Sequence, residues 1–165
     1  AVALPRGTTE LERIADVASD PVVAGSTVCA VAYQGRVACF DLDNGRQLWA
    51  RDISSVAGLA IGNRGVYVTD DKSAVQAFDR NSGASLWKQD KLFMRGLTRP
   101  LVLGSRLAIA DFQGHVHLLS DEDGAFVARY ATDGSAIVAA PHRLAAEQGF
   151  VVQTRNGAVH ALVAK

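Results

Sequence analysis

The chain has 165 residues, and its 17 Lys plus Arg balance 17 Asp plus Glu to a formal net charge of zero. That balance speaks against a nucleic-acid binder, which needs a basic surplus or stripe, and against a protein held on an anionic membrane by charge. The 48% of hydrophobic residues fall in short runs, below the about 18–20 consecutive residues of a membrane-spanning helix, and the length suffices for a sizeable core.

In chain order, residues 1–4 read as the tail of a strand stopped by Pro5 and Gly7. Thr8 or Thr9 with Glu12 resembles a capping box, and Leu11, Ile14 and Ala15 fall at helical spacing. Residues 8–20 are therefore a turn or two of helix or an irregular connector; the residues leave both open. From residue 20 short β-rich runs alternate with turn residues. Strands are expected at 21–23, 27–33, 36–41 and 47–53, then at 58–61, 66–70, 74–79 and 85–89. A third set follows at 100–103, 106–111, 115–120 and 126–132, and a fourth, one strand short, at 141–144, 150–154 and 158–163.

The sets are copies of one unit. QGRVACFDLDNGRQLW (34–49) recurs as KSAVQAFDRNSGASLW (72–87), degraded as QGHVHLLSDEDGAFVA (113–128), and truncated as NGAVHALVAK (156–165). Gly45 to Gly83 is 38 positions and Gly83 to Gly124 is 41, the length of a four-stranded propeller blade. The fold expected is all-β, a β-propeller of four-stranded antiparallel blades. The expected divisions are a preceding strand end plus connector at 1–19, blades at 20–57, 58–98 and 99–139, and an incomplete blade at 140–165. That makes a fragment of about three and a half to four blades, because such rings close to hide their edges. An open edge also raises the expectation that two such fragments pair, with residues 1–4 completing a partner's last blade.

Two cysteines, Cys29 and Cys39, are too few for a disulfide scaffold. If Gln34-Gly35 is a two-residue turn, Ala30 opposes Cys39 and Cys29 points to the other face. Both then read as small buried hydrophobes rather than a disulfide, and a longer turn would reopen the question.

The run A-x-D-x-x-x-G-x-x-x-W, carried by Asp41, Gly45 and Trp49 and again by Asp79, Gly83 and Trp87, resembles the repeat named after pyrroloquinoline quinone enzymes. The third copy keeps Gly124 but has Ser120 and Ala128 in place of the Asp and Trp. Within that superfamily the chain resembles the C-terminal half of the BamB family, lipoproteins of the outer-membrane β-barrel assembly machinery. The specific stretches are GTTELERIADVASDPVV (7–23), the Tyr33-Gln34-Gly35 turn and LTRPLVLGSRLAIADFQGHVHLLSDEDGAFVA (97–128). The resemblance implies an eight-bladed ring and a non-enzymatic scaffold without cofactor. It implies periplasmic location on the inner leaflet of the outer membrane of a Gram-negative bacterium, through a lipidated cysteine not among these residues. Implied partners are the POTRA domains of BamA and unfolded outer-membrane protein clients. One partner contact carries over, to Arg13, Ile14 and Asp16; Ala18 stands where the family often has a second acid.

Bland readings cover the other marked residues. Trp49 and Trp87 read as core, and Asp41 and Asp79 as acceptors for turn backbone. His115 and His117 lie at i and i+2 on one strand face, a possible start of a metal site but more simply bulky strand residues. Asp121-Glu122-Asp123-Gly124 matches a calcium loop in composition only. The alternative function is a quinoprotein dehydrogenase; against it, the cysteines stand ten apart instead of adjacent and no calcium-binding set is recognisable.

Overall fold

A computed structural model describes residues 17–145 and 149–164 of the chain. The strand end expected at 1–4, most of the segment 8–20 that is open between helix and irregular connector, and the partner candidates Arg13, Ile14 and Asp16 lie outside the described residues.

Among the described residues there are fifteen strands and no helix. The first sheet runs β1 (Val22–Ala24), β2 (Thr27–Val31), β3 (Arg36–Asp41), β4 (Gln47–Asp52) in that spatial order. The second is β5 (Gly58–Ile61), β6 (Gly65–Thr69), β7 (Val75–Asp79), β8 (Ser85–Gln89), and the third is β9 (Leu101–Leu103), β10 (Arg106–Ala110), β11 (His115–Ser120), β12 (Phe126–Ala131). The fourth has β13 (His142–Arg143), β14 (Gly149–Gln153) and β15 (Val159–Val163). Every pairing is antiparallel between sequence neighbours, as short strands joined by tight turns dictate. The strands fall within two residues of the expected ones, and the sheets are blades of a propeller.

Successive blades bury one another. One core cluster joins Cys29, Val31, Val37 and Trp49 of the first blade to Leu59, Val66 and Val68 of the second. A second joins Tyr67, Val75 and Ala77 to Leu107, Ile109 and Leu119 of the third. A third joins Leu103, Ala108, Val116 and Leu118 to Phe150 and Val152 of the fourth. Interior strands are therefore covered on both faces, which is why all five residues of β6 are buried and why these strands read as apolar runs instead of an alternation.

A repeated peg locks the first two interfaces. A one-residue bulge interrupts the β3–β4, β7–β8 and β11–β12 ladders, skipping Leu48, Leu86 and Val127 in turn. The bulge sets Trp49 opposite Cys39 and Trp87 opposite Ala77, facing the next blade. There the Trp49 indole N–H donates to the Arg80 carbonyl at 2.9 Å, and that of Trp87 to the Asp121 carbonyl at 3.1 Å. Each ring lies against the turn glycine of the blade that follows. A Cβ on Gly83 would sit 2.4 Å from Trp49, and one on Gly124 2.5 Å from Trp87.

The cysteine reading is corrected. Cys29 and Cys39 form a disulfide. The turn between β2 and β3 holds three residues, Tyr33-Gln34-Gly35, closed by the Ala32 N–H on the Arg36 carbonyl. The extra residue shifts the register by one, so Cys29 stands directly opposite Cys39, both wholly buried in the first interface.

The three turn glycines separate packing from backbone conformation. All have positive φ (+69° at Gly45, +65° at Gly83, +71° at Gly124), yet a Cβ on Gly45 meets nothing within 4 Å. Gly45→Ala should therefore cost only about 1 kcal/mol of backbone strain, whereas Gly83→Ala and Gly124→Ala should each cost about 2–4 kcal/mol by displacing an indole. Urea midpoints of the three variants check this, and equal losses at all three would remove the peg as the reason for glycine.

Candidate functional site

The antiparallel meander sorts the connections into two ends. The β1–β2 and β3–β4 types of turn gather at one end. The β2–β3 type of turn, the blade-to-blade loops (53–57, 90–100, 132–141) and the segment leading into β1 gather at the other, termed here the connector end.

The connector end carries apolar side chains in water. Val17, Val56, Phe93, Met94, Phe112 and Val138 are all more than half exposed, and each lies on a loop or turn of this end. Near the propeller axis the end opens into a cavity of about 450 Å³ walled by Ala18, Asp20, Val56, Leu97, Phe112 and Val138. Scattered apolar residues on a surface mean little, but Val56, Phe112 and Val138 line this one cavity with Val17, Phe93 and Met94 on the same end, which marks a contact surface.

Backbone hydrogen bonds hold these loops. The Asp71 N–H donates to the Ser54 carbonyl at 3.1 Å, and the Asp71 carboxylate accepts from the Ser54 hydroxyl and, at 3.1 Å, from the Val56 N–H. The Met94 N–H reaches the Lys72 carbonyl at 3.0 Å, and the Arg155 N–H the Ala136 carbonyl at 2.8 Å. Each β2–β3 type of turn thus staples loops beside it.

Asp111 is the densest of these staples. Its Oδ1 accepts from the Gln113 and His115 backbone N–H groups at 2.9 Å each. Its Oδ2 accepts from Arg95 Nε at 2.6 Å and from His117 Nε2 at 2.9 Å. Its carbonyl accepts from the Ile137 N–H at 3.1 Å, so one residue ties a turn to the loops on both sides. The carboxylate is fully buried, which by itself raises its pKa. The bonds from His117, the His115 N–H and Arg95, with the charge of Arg95, outweigh burial and hold it well below the usual carboxylate range. An ionised Oδ2 makes His117 Nε2 the protonated nitrogen, and Nδ1 is left buried with no partner.

The second blade repeats the device with different residues. Asp70 accepts from the Lys72 and Ala74 N–H groups and from Gln76 Nε2, all at 2.8–3.0 Å. Gln76 and His117 stand six residues after their aspartates. This D-x₅-[QH] spacing was visible in the sequence, while the residues quoted for the repeat start too late to include the aspartates. His117 is 2% exposed and stacks with His115 at 6.1 Å while both turn to Asp111. Among the described residues, no three His, Cys, Asp or Glu side chains converge as a metal site.

The other marked residues lie at the opposite end. Asp41 Oδ1 accepts from the Asp43 and Asn44 N–H groups, and Asp79 Oδ1 from the Asn81 and Ser82 N–H groups and the Ser82 hydroxyl. Those bonds, led by the Ser82 hydroxyl, hold the Asp79 carboxyl below its ordinary pKa. Asp41, Asp79, Trp49, Trp87, Gly45, Gly83 and Gly124 thus form turns and pegs, away from the apolar loops.

Comparison with known proteins identifies the repeat. The family described as outer membrane protein assembly factor BamB matches residues 1–89 and 72–165. The outer membrane protein assembly factor BamB of Bordetella pertussis is 48% identical over 159 residues, 96% of this chain and 41% of that protein. The crystal structure of BamB from Moraxella catarrhalis superposes with a TM-score of 0.87 at 29% identity, over 97% of this chain and 47% of that one. A europium-containing methanol dehydrogenase superposes with a TM-score of 0.57 at 22% identity over 69% of this chain and 24% of that one, a likeness of fold alone. The chain spans about two fifths of the length of the curated relatives it matches.

Asp111→Asn should cost about 2–4 kcal/mol near neutral pH, since Arg95 loses a buried partner. The carboxyl is depressed on folding, so its contribution is complete above the unfolded value of about 3.9 and shrinks as pH falls below that toward the folded value. The gap between wild type and variant in urea midpoint should accordingly narrow between about pH 5 and pH 2.5. His117→Gln, which copies the Gln76–Asp70 pair, should stay within about 1 kcal/mol of wild type, whereas His117→Leu should not.

Proposed function

The chain belongs to the BamB family of outer membrane protein assembly factors, and on that premise we propose that it is part of a non-enzymatic scaffold. In this reading the protein serves the outer-membrane β-barrel assembly machinery, and its connector end docks the POTRA domains of BamA. Arg13, Ile14 and Asp16 take part in the contact, Arg13 and Asp16 as its charged groups. The scaffold also assists folding and insertion of unfolded outer-membrane protein clients. It works on the periplasmic side of the outer membrane, lipid-anchored at the inner leaflet. Blade divisions at 20–57, 58–98, 99–139 and 140–165, and pairing of fragments through open edges, belong to the same reading.

The observation that carries it is the convergence at the connector end. Ala18 and Asp20, which directly follow the candidate residues, wall the axial cavity together with the exposed Val56, Phe112 and Val138. Exposed apolar side chains among polar and charged ones are the make-up of a protein–protein interface. The buried Cys29–Cys39 disulfide suits an oxidising compartment such as the periplasm. The same disulfide joins strand neighbours inside a blade interface, away from the axis where a quinone would lie, so no observation favours the dehydrogenase reading.

Two substitutions test the surface by titration calorimetry against a BamA POTRA fragment. Asp16→Lys should weaken binding about fivefold, the usual size of a reversed rim charge, and Val56→Asp by about tenfold or more. Unchanged affinity for Asp16→Lys removes the connector from the interface. Unchanged affinity for both variants removes the connector end altogether.

A further inference from the structure

A second cavity, of about 420 Å³, opens on the flank between the second and third blades, walled by the loop that leaves β8 and the outer half of the third blade. The residues that matter are Lys91, Leu92 and Arg95 from the loop, His117 at the back, and Phe126 and Arg129 from β12. Every charged side chain that lines it is a cation, in a chain whose charges cancel overall. Asp111 lies buried behind Arg95 and His117 with both oxygens engaged, and the exposed Asp90, next to Lys91 in the chain, is not among the lining residues. Arg95 is thus compensated, while Lys91 and Arg129 pair with no carboxylate among the described residues.

A further feature narrows the ligand. Leu92 and Phe126 make one wall apolar, and the Phe126 ring packs edge-on against His117 with centroids 6.0 Å apart. His117, 2% exposed, backs the cleft with its Nε2–H committed to Asp111 and its Nδ1 buried. The cleft therefore offers a place for an anion and, beside it, a place for an apolar group. A simple inorganic anion satisfies only the first.

We propose that this cleft binds extended peptide segments in which a carboxylate side chain adjoins an apolar one. The carboxylate sits between Lys91 and Arg129, and the apolar side chain rests on Leu92 and Phe126. The segments are those of unfolded chains, and only this identification of their source rests on the client-binding part of the proposed function.

The test uses the full chain with a labelled, capped Phe-Glu peptide, its Phe-Gln counterpart, and inorganic phosphate as competitor. Anisotropy reports affinity and ¹⁵N shifts report the His117 ring behind Phe126. The Phe-Glu peptide should saturate and shift the His117 ring signals, with the Phe-Gln peptide about tenfold weaker. Lys91→Glu with Arg129→Glu should weaken the Phe-Glu peptide about tenfold or more while leaving the urea midpoint and POTRA binding unchanged, since both residues are exposed. Absence of saturable binding at millimolar peptide overturns the proposal, as does equal binding of both peptides or indifference to the double reversal. Displacement of the peptide by phosphate at equal concentration reduces the cleft to a bare anion site and overturns it too. If the double reversal weakens POTRA binding instead of peptide binding, the cleft belongs to the docking interface and this inference fails while the scaffold reading stands.

Discussion

The structure depends on one contact repeated along the chain, an indole pressed on the turn of the next blade. A four-stranded blade has two apolar faces and cannot cover either alone. Trp49 and Trp87 solve this by spanning to Gly83 and Gly124, donating to a backbone carbonyl while the ring occupies the room a side chain would need. An aromatic ring buries about 150–250 Å² in such a place, so each peg is worth several ordinary core contacts. The bulge at Leu48 and Leu86 belongs to the same device, because it sets the face on which the indole emerges. The third blade has the bulge at Val127 but Ala128 where the peg stands. Its far face is covered instead by Ile137, Phe150 and Val152.

Much of this was legible because it is periodic. The spacing of Gly45, Gly83 and Gly124 fixes the blade length, and the turn residues between β-rich runs place the strands within two residues. What failed had a local cause. Cys29 and Cys39 were misread because one extra turn residue inverts which side chains share a face, and Tyr33 carries no signature that distinguishes a loop residue from a strand residue. Asp70 and Asp111 went unmarked because their partners Gln76 and His117 belong to different residue types, and the shared role is seen only when both bond an aspartate at the same offset. The exposed face around Val56, Phe112 and Val138 is assembled from loops far apart in sequence, so no window along the chain contains it.

The two ends of the blades are built by different physics. At the peg end, Asp41 and Asp79 satisfy their own turns, and little is left over for a ligand. At the connector end, irregular loops are stapled by backbone hydrogen bonds and by Asp71, Asp111 and Ser55, whose hydroxyl donates to the Thr69 carbonyl at 2.5 Å and accepts from the Gly58 N–H at 3.0 Å. Loops held this way present apolar side chains without a large ordering cost on association, the condition under which a modest surface binds well. The chemistry thus lies where the repeat is least regular.

Arg95 joins the two surfaces that this end and its flank present. Its guanidinium anchors the loop bearing Phe93 and Met94 to Asp111, and the same side chain lines the cationic cleft. Lys91 and Arg129 have no such double duty, since neither forms an ion pair among the described residues and both stand exposed. A change at Asp111 therefore disturbs the support of the apolar loops and the back wall of the cleft together. A change at Lys91 or Arg129 alters only the charge that a ligand meets. This division of labour makes the two surfaces separable by substitution although they share a wall.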